Sequence, residues 1–407
     1  MPHIAFVAPH FLENTNRYVS AFAEQPGVTL SVISADPASS IPAELKARIS
    51  GHYQVADLGD GAQLGKAARA LGNVDRLTGA LEQLQLPMAH AREIAGVPGM
   101  LPAIARNFRD KDRMKEVLRA HGVPVAASAL VTSEAELKAF IRKVGFPIIV
   151  KPQAGLGARS TQRVMTEADL AALPFAPTGT QPLQAEQFVR AREHTCETVS
   201  VHGKGLWRSG TRYFPSPLEV LETPWVQYCV LLPREAEPTW SAFAGTNEAA
   251  LKALFGEDPL VTGTALTHME WFLCDDGAML VNEVGARPPG VHIMPLMGLA
   301  HGGVDMIRAW AELIAFDRFT PPARTAAAGA AFFRGQGKGD RIVSVEGLER
   351  AILEAGGALV ELRTPKVGMA RAPGYEGEGW ATVKHPTTEG AKQALLALIQ
   401  NVQIRYG

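Results

Sequence analysis

Lys151-Pro-Gln-Ala-Gly-Leu-Gly-Ala-Arg-Ser-Thr161 is the stretch on which the fold reading turns. It follows Ile148-Ile-Val150, an apolar run that ends on the lysine, and runs into Thr161-Gln-Arg-Val-Met-Thr166, which alternates like a strand. Glycine has no Cβ and tolerates unusual φ, so such a loop lets backbone N–H groups approach phosphate oxygens closely. A loop of the Gly-Lys-Ser/Thr kind would need that triplet at its end, and a dinucleotide loop would open directly into a helix. Neither occurs, so the loop joins two antiparallel strands. Taken alone, Gly155-x-Gly157 is equally an ordinary hairpin loop.

Upstream, the apolar run 3–9, a helical stretch at 14–24 and a second run at 29–34 make a β-α-β opening. Pro9-His-Phe-Leu12 stands where a nicotinamide or flavin domain would carry its glycine loop, which excludes that role. Helical patterns at 61–71 and 81–95, with a short run at 76–78, extend an open parallel sheet that Gly96-Val-Pro-Gly99 closes. A helix is expected from Arg109 to His121, and another from Ser133 with Glu136 completing a capping box. Beyond the loop, short strands alternate with glycine and proline turns. A third segment starts near Ala327, with strands AAFFR, RIVSV, ALVEL and WATVKH, a helix at 347–355 and a closing helix at 388–399.

Length and composition bound the function. The 407 residues suggest two or three domains, and 46% hydrophobic with 20% charged residues is the profile of a soluble globular protein. Lys and Arg number 40 against 41 Asp and Glu, too balanced for whole-chain attraction to nucleic acid or an anionic membrane, so any polyanion site is local. No signal peptide or membrane span is read, and a cytoplasmic location is expected. Cys196, Cys229 and Cys274 match neither a disulfide framework nor a zinc spacing, and read as buried apolar residues.

Lys111 stands forty residues before Lys151; after the loop come Gln184-Ala-Glu-Gln-Phe-Val189 and Glu193. In this order the residues resemble the ATP-grasp superfamily, over most of the chain. The resemblance implies an α/β and α+β architecture with an N-terminal open parallel-sheet, Rossmann-like domain (1–100) and a lid subdomain with the glycine loop (101–190). A central domain with the metal site (191–326) and a C-terminal α+β segment completing the large domain (327–407) would follow. ATP would be gripped between the two α+β parts, its phosphates on Lys111 and Lys151 under Gly155, Gly157, Ser160 and Thr161. Glu186 would sit at the hinge that reads the adenine edge, Phe188 and Val189 would offer backbone groups, and Glu193 would accept from ribose hydroxyls. Glu197 is a second candidate for that role, or a strand residue facing solvent. Two ammonium groups and loop amides would neutralise a triphosphate in a chain of nearly zero net charge.

Phosphoryl transfer needs hard cations, which proteins hold through a few carboxylates. His268-Met-Glu270 begins a strand-like run, Asp275-Asp-Gly277 is a turn, and Met279-Leu-Val-Asn-Glu283 returns. A regular hairpin of this spacing is expected to set Glu270 and Glu283 on one face, a register that a bulge would alter. Asn282-Glu-Val-Gly-Ala-Arg287-Pro-Pro-Gly290 is similar to the superfamily's final motif. That likeness implies two Mg2+ ions, with Mn2+ as a substitute, on Glu270 and Glu283. It also implies that Arg287, together with Lys151, clamps the transferring phosphate and the acyl intermediate. Many members carry Asn two residues after the second Glu; here it is Gly285, a small residue as in dipeptide-forming ligases, and Asn282 on the other side is not assumed to replace it.

The implied reaction is that of a carboxylate-amine ligase, closest to the L-amino-acid ligase type. A carboxylate becomes an acyl phosphate, an amine attacks, and an amide, ADP and phosphate result. The partners would be a small-molecule acid and amine, lying along 207–232 and 289–297, with Arg208, Arg212, Trp225, Tyr228 and His292 as candidate contacts. An ATP-grasp carboxylase or formate-using ligase of purine or biotin-carboxylase type would share every nucleotide motif. A nucleotide-binding protein without catalysis fits the full residue set less well. A homodimer is a family-level expectation.

Overall fold

The computed structural model describes residues 1–407 apart from 153–160, 175, 224–225, 236–237, 257–262, 373 and 375. Among the described residues the chain opens with four parallel strands in the order Gly51–Gln54, Thr29–Ser34, His3–Val7, Arg76–Thr78. The first strand is apolar on both sides because helices cover both faces: Ile4 and Phe6 enter one cluster, Ala5 and Val7 another. The first cluster also holds Tyr18, Phe22 and Trp310, whose rings meet at 5.5 and 5.4 Å. Helix Glu13–Ala23 is thereby docked on helix Met306–Phe316 of the larger body.

A second sheet is antiparallel, in the order Ser128–Val131, Leu183–Gln187, Ile148–Pro152, Gln162–Val164. Helix Glu134–Val144 covers one face, packing Leu137, Phe140 and Ile141 on Ile148, Val150 and Ala185. Alternation then puts Lys151 and Glu186 on the other face. The capping box expected at Ser133 is half made: its hydroxyl accepts from the Glu136 N–H, but the Glu136 carboxylate takes the Thr132 N–H at 2.7 Å.

The largest sheet has eight antiparallel strands, ordered Met279–Gly285, Ala265–Cys274, Ala191–Val201, Lys204–Phe214, Tyr228–Leu232, Ala327–Phe333, Gly379–His385, Leu359–Arg363. Where short strands were expected, two run for 11 residues each, joined at His202-Gly203 with φ of 49° and 77°. Both turn positions are left-handed, as a two-residue hairpin of matching twist requires. The strand at 327–333 belongs to this same sheet, paired with Tyr228–Leu232, and a strand unforeseen in the sequence, Gln403–Tyr406, pairs with Ile342–Glu346. One face of the strands 265–285 carries Met269, Trp271, Leu273, Val281 and Val284 against helices Pro102–Arg109, Lys111–Ala120 and Pro238–Phe255. The other face turns from apolar at Leu266 to polar at His268 and Glu270. Cys196 and Cys229 are buried, Cys274 is half-buried, and no described helix is long and apolar enough to cross a membrane.

Candidate active site

The two carboxylates meet because the hairpin is irregular. Leu273, Phe272 and Trp271 pair with Met279, Leu280 and Val281; continued, that register would set Glu270 against Asn282 and turn Glu283 into the apolar cluster beside Met269. A bulge between Glu270 and Trp271 leaves Asn282 unpaired and brings Glu283 directly opposite Glu270. The expectation of a regular hairpin is thus corrected: the extra residue, not the spacing, puts both side chains on one face. Asn282 comes with them, its Nδ2 donating to Glu270 Oε2 at 3.3 Å. On the adjoining strand Glu193, Thr195 and Glu197 stand in register with Phe272, Glu270 and His268. His268 Nδ1 lies 2.8 Å from Glu197 Oε1 and its Nε2 3.7 Å from Glu270 Oε1. Burial opposes a charged imidazole there, but the two carboxylates outweigh it and push its pKa up to about 9. Glu197 is fully buried, so it does not face solvent.

Directly opposed carboxylates repel, and cations surround these two. Lys111 is the first residue of helix Lys111–Ala120, where Asp110 Oδ1 caps the N–H groups of Asp112 and Arg113 at 3.2 Å. Its Nζ lies 2.5 Å from Glu283 Oε1. Burial alone would raise the Glu283 pKa, but Lys111 and Lys151 hold it well below the usual carboxylate range. Lys151 Nζ lies 3.0 Å from Glu186 Oε1, and Lys115, 1% exposed, reaches the same oxygen at 2.7 Å. Burial pulls the Lys115 ammonium down to about 8 against the attraction of Glu186. For Lys151 burial is outweighed by Glu186, Glu283 and Glu270, and its pKa lies above the ordinary value. Glu193 is pushed well above the usual carboxylate range, by burial first and Glu270 second.

Lys111, Lys151, Glu186, Glu193, Glu270 and Glu283, all expected from the sequence, therefore share one electrostatic cluster. Arg287 stands at its edge, donating to Glu82 Oε2 at 2.7 Å and to the Pro288 carbonyl at 2.9 Å. Phe188 donates its N–H to the Pro147 carbonyl at 3.2 Å, and the Arg163 guanidinium lies 4.6 Å over its ring. Thr161 and Val189 are half-buried, next to strands Gln162–Val164 and Leu183–Gln187. Gly155, Gly157, Ser160 and Trp225 lie outside the described residues. Arg208 and Arg212 do not join the cluster: Ser209 and Thr211 are in register with Glu197 and Thr195, so the two arginines alternate to the opposite face. Tyr228 stacks on Phe332 at 4.6 Å, and His292 packs 4.3 Å from Trp380, with burial lowering its pKa to about 4.

Four participants were not anticipated. Lys115 was readable, since it lies four residues after Lys111 on the same helix face. Glu82 and His268 become partners only through tertiary contacts, and Asn282 through the bulge. Among the described residues no group of three or more His, Cys, Asp or Glu could hold a metal. Two carboxylates beside an amide, with other positions left to phosphate oxygens and water, are the hard donor set Mg2+ takes in place of an all-protein cage. The residues fit that ion.

Residues 110–185 match the carbamoyl-phosphate synthase L chain, ATP-binding domain. A D-alanine–D-alanine ligase of Chromohalobacter salexigens is 32% identical over 129 residues, 30% of this chain and 37% of that protein. An L-arginine-specific L-amino acid ligase of Bacillus subtilis is 24% identical over 227 residues, 54% of this chain and 53% of that one. The chain thus spans about a third to a half of the length of these curated relatives. The crystal structure of an L-amino acid ligase from Bacillus licheniformis superposes with a TM-score of 0.74 at 19% identity, covering 100% of this chain and 99% of that one. The fold is that of ATP-grasp proteins, and within it residues 110–185 resemble an ATP-binding domain in sequence.

Proposed function

We propose that this protein is an ATP-dependent carboxylate-amine ligase, activating a small carboxylate as an acyl phosphate and coupling it to an amine, amino acid to amino acid in the first instance, with release of ADP and phosphate. The observation that carries the reading is the directly opposed pair Glu270 and Glu283, facing Lys111 and Lys151. Glu270 and Glu283 would hold Mg2+, which when bound neutralises phosphate oxygens. The remaining work falls to side chains. Lys111 and Lys151 would bind phosphate oxygens, with the loop of Gly155, Gly157, Ser160 and Thr161 over them. Lys115 would keep Glu186 charge-paired while Lys151 turns to the nucleotide. Phe188, Val189 and Glu193 would take adenine and ribose. Arg287, held in place by Glu82, would offer its planar donor fork to charge developing on the transferring group.

No protein nucleophile is needed, and burial pushes the Cys196 and Cys229 thiols up to about 12, which leaves them unreactive. Similarity to the Bacillus subtilis L-amino acid ligase supports the amino-acid substrates. The division into units 1–100, 101–190, 191–326 and 327–407 belongs to the same proposal. The test is phosphate release with ATP and Mg2+ across pairs of amino acids and small carboxylates, with mass spectrometry of each positive reaction. An amide with ADP is expected. Phosphate release that requires bicarbonate or formate would assign the purine type instead, and failure to bind ATP would remove the nucleotide reading altogether.

A further inference from the structure

A cavity of about 410 Å³ opens where the eight-stranded sheet loses its pairing. Strand Lys204–Phe214 meets Tyr228–Leu232 only from Arg212 to Phe214. Past Leu232 comes Pro233, which has no N–H to continue a ladder, and the edge from Trp207 to Gly210 faces a gap. Arg324 spans that gap: it donates to the Pro233 carbonyl, to Ser209 Oγ and, at 3.2 Å, to His301 Nε2. His301 Nδ1 faces the Met297 carbonyl at 2.7 Å, which assigns the proton to Nδ1 and leaves Nε2 as the acceptor. These hydrogen-bond partners are neutral; burial lowers the Arg324 pKa to about 10 against the attraction of the nearby Glu197 carboxylate.

Arg208 and Arg234 bring two more guanidiniums to the lining, against one carboxylate among the described lining residues, that of Glu235, which accepts from Thr388 Oγ1. Among the described residues Arg208 has Glu248 as its acidic partner, 77% exposed and 3.7 Å away. The facing wall is aromatic. The Trp240 ring lies against Gly210, where a Cβ would come within 2.2 Å of it. None of Glu270, Glu283 and Arg287 lines the cavity.

We infer that this cavity is a second binding site, for a small carboxylate that carries an aromatic or apolar group. The volume falls in the range of small-molecule pockets, which pair an apolar lining with a few placed polar groups. A guanidinium fork matches a carboxylate in two-point geometry, and indole and phenyl walls take the apolar part. The Cys196 thiol in the lining is unreactive, so the site binds and does not bond. The inference does not depend on the ligase reading.

Phenylacetate is the probe, titrated by calorimetry into the full chain, with phenylacetamide and benzylamine as charge controls. One site is expected, with phenylacetate bound at least on the order of tenfold more tightly than either control, the scale of one charge-assisted hydrogen bond. Arg234 is half-buried on the chain surface, so Arg234→Ala keeps the fold; it should weaken phenylacetate by a similar factor, while Arg287→Ala leaves binding unchanged. Trp240→Phe should reduce the fluorescence change on binding. Absence of binding, equal binding of phenylacetamide, or loss on Arg287→Ala with none on Arg234→Ala overturns the inference.

Discussion

Glu186 offers the sharpest test of the electrostatic cluster. Its carboxylate is 5% exposed and is shared by Lys115 and Lys151. Burial by itself would raise its pKa, yet the two ammonium groups bring it from 4.5 to about 2. Each tenfold change in proton affinity corresponds to about 1.4 kcal/mol, so the ionised form is favoured by about 3 kcal/mol in the folded protein. That figure lies within the roughly 3–5 kcal/mol seen when one partner of a buried pair is removed. Glu186→Gln keeps the shape, removes the charge, and leaves Lys115 and Lys151 facing each other. Amide hydrogen exchange in strands Ile148–Pro152 and Leu183–Gln187 should then speed up on the order of a hundredfold. Adding Lys115→Met should recover much of the loss, because one of two uncompensated charges is gone. The pH dependence follows from the sign: the folded pKa is depressed, so the contribution is complete above pH 4.5 and is lost as pH falls towards about 2. The gap between wild type and Glu186→Gln should close over that window. Unchanged exchange at pH 7, no coupling to Lys115→Met, or a gap independent of pH would each refute the reasoning.

Other outcomes are expected. Glu283→Gln should abolish ATP turnover and weaken Mn2+ binding measured by electron paramagnetic resonance. Asn282→Ala, which removes only the amide bonded to Glu270, should weaken Mn2+ binding by roughly 10–100-fold with circular dichroism unchanged; an unaltered Mn2+ titration argues against a role for the bulge residue. His292 should titrate by NMR near pH 4, and because its folded pKa is depressed by burial, its stabilising contribution should fade as pH drops from 6.5 towards that value. A resonance titrating at 6.5 would contradict its burial against Trp380. Trp271→Ala should cost about 3–5 kcal/mol in urea unfolding, since the indole is fully buried and stacked 3.9 Å from Phe243.

Legibility varied with the range of the interaction. The opening β-α-β unit, the strand that carries Lys151 and the helix Lys111–Ala120 show in local periodicity, because burial repeats with the backbone's own geometry. The expected helix start at Arg109 is wrong: Arg109 ends the helix Pro102–Arg109, and Asp110 caps the next one. Even the caps show, although at Ser133 the neighbouring Thr132 N–H competed for Glu136. The identity of the charged residues was equally local: Lys111, Lys151, Glu186, Glu270 and Glu283 could be picked out by type and order along the chain. Their arrangement was not. Lys111 meets Glu283 across 172 residues and Arg287 meets Glu82 across 205, contacts that no window of sequence contains. The face on which Glu283 stands depended on one extra residue in a hairpin, because a slip of one position reverses every side chain and only packing of Trp271 and Val281 into the core decides where the slip falls. The strand at 327–333 reads in the sequence as opening a segment that completes the large domain, but its partner, the edge of Tyr228–Leu232, lies about a hundred residues away and could not be named from sequence. From the sequence alone came the locally periodic elements and the chemistry of the residues; tertiary structure decided strand length and the closing strand Gln403–Tyr406, register, pairing and charge compensation, which are settled jointly by packing and not residue by residue.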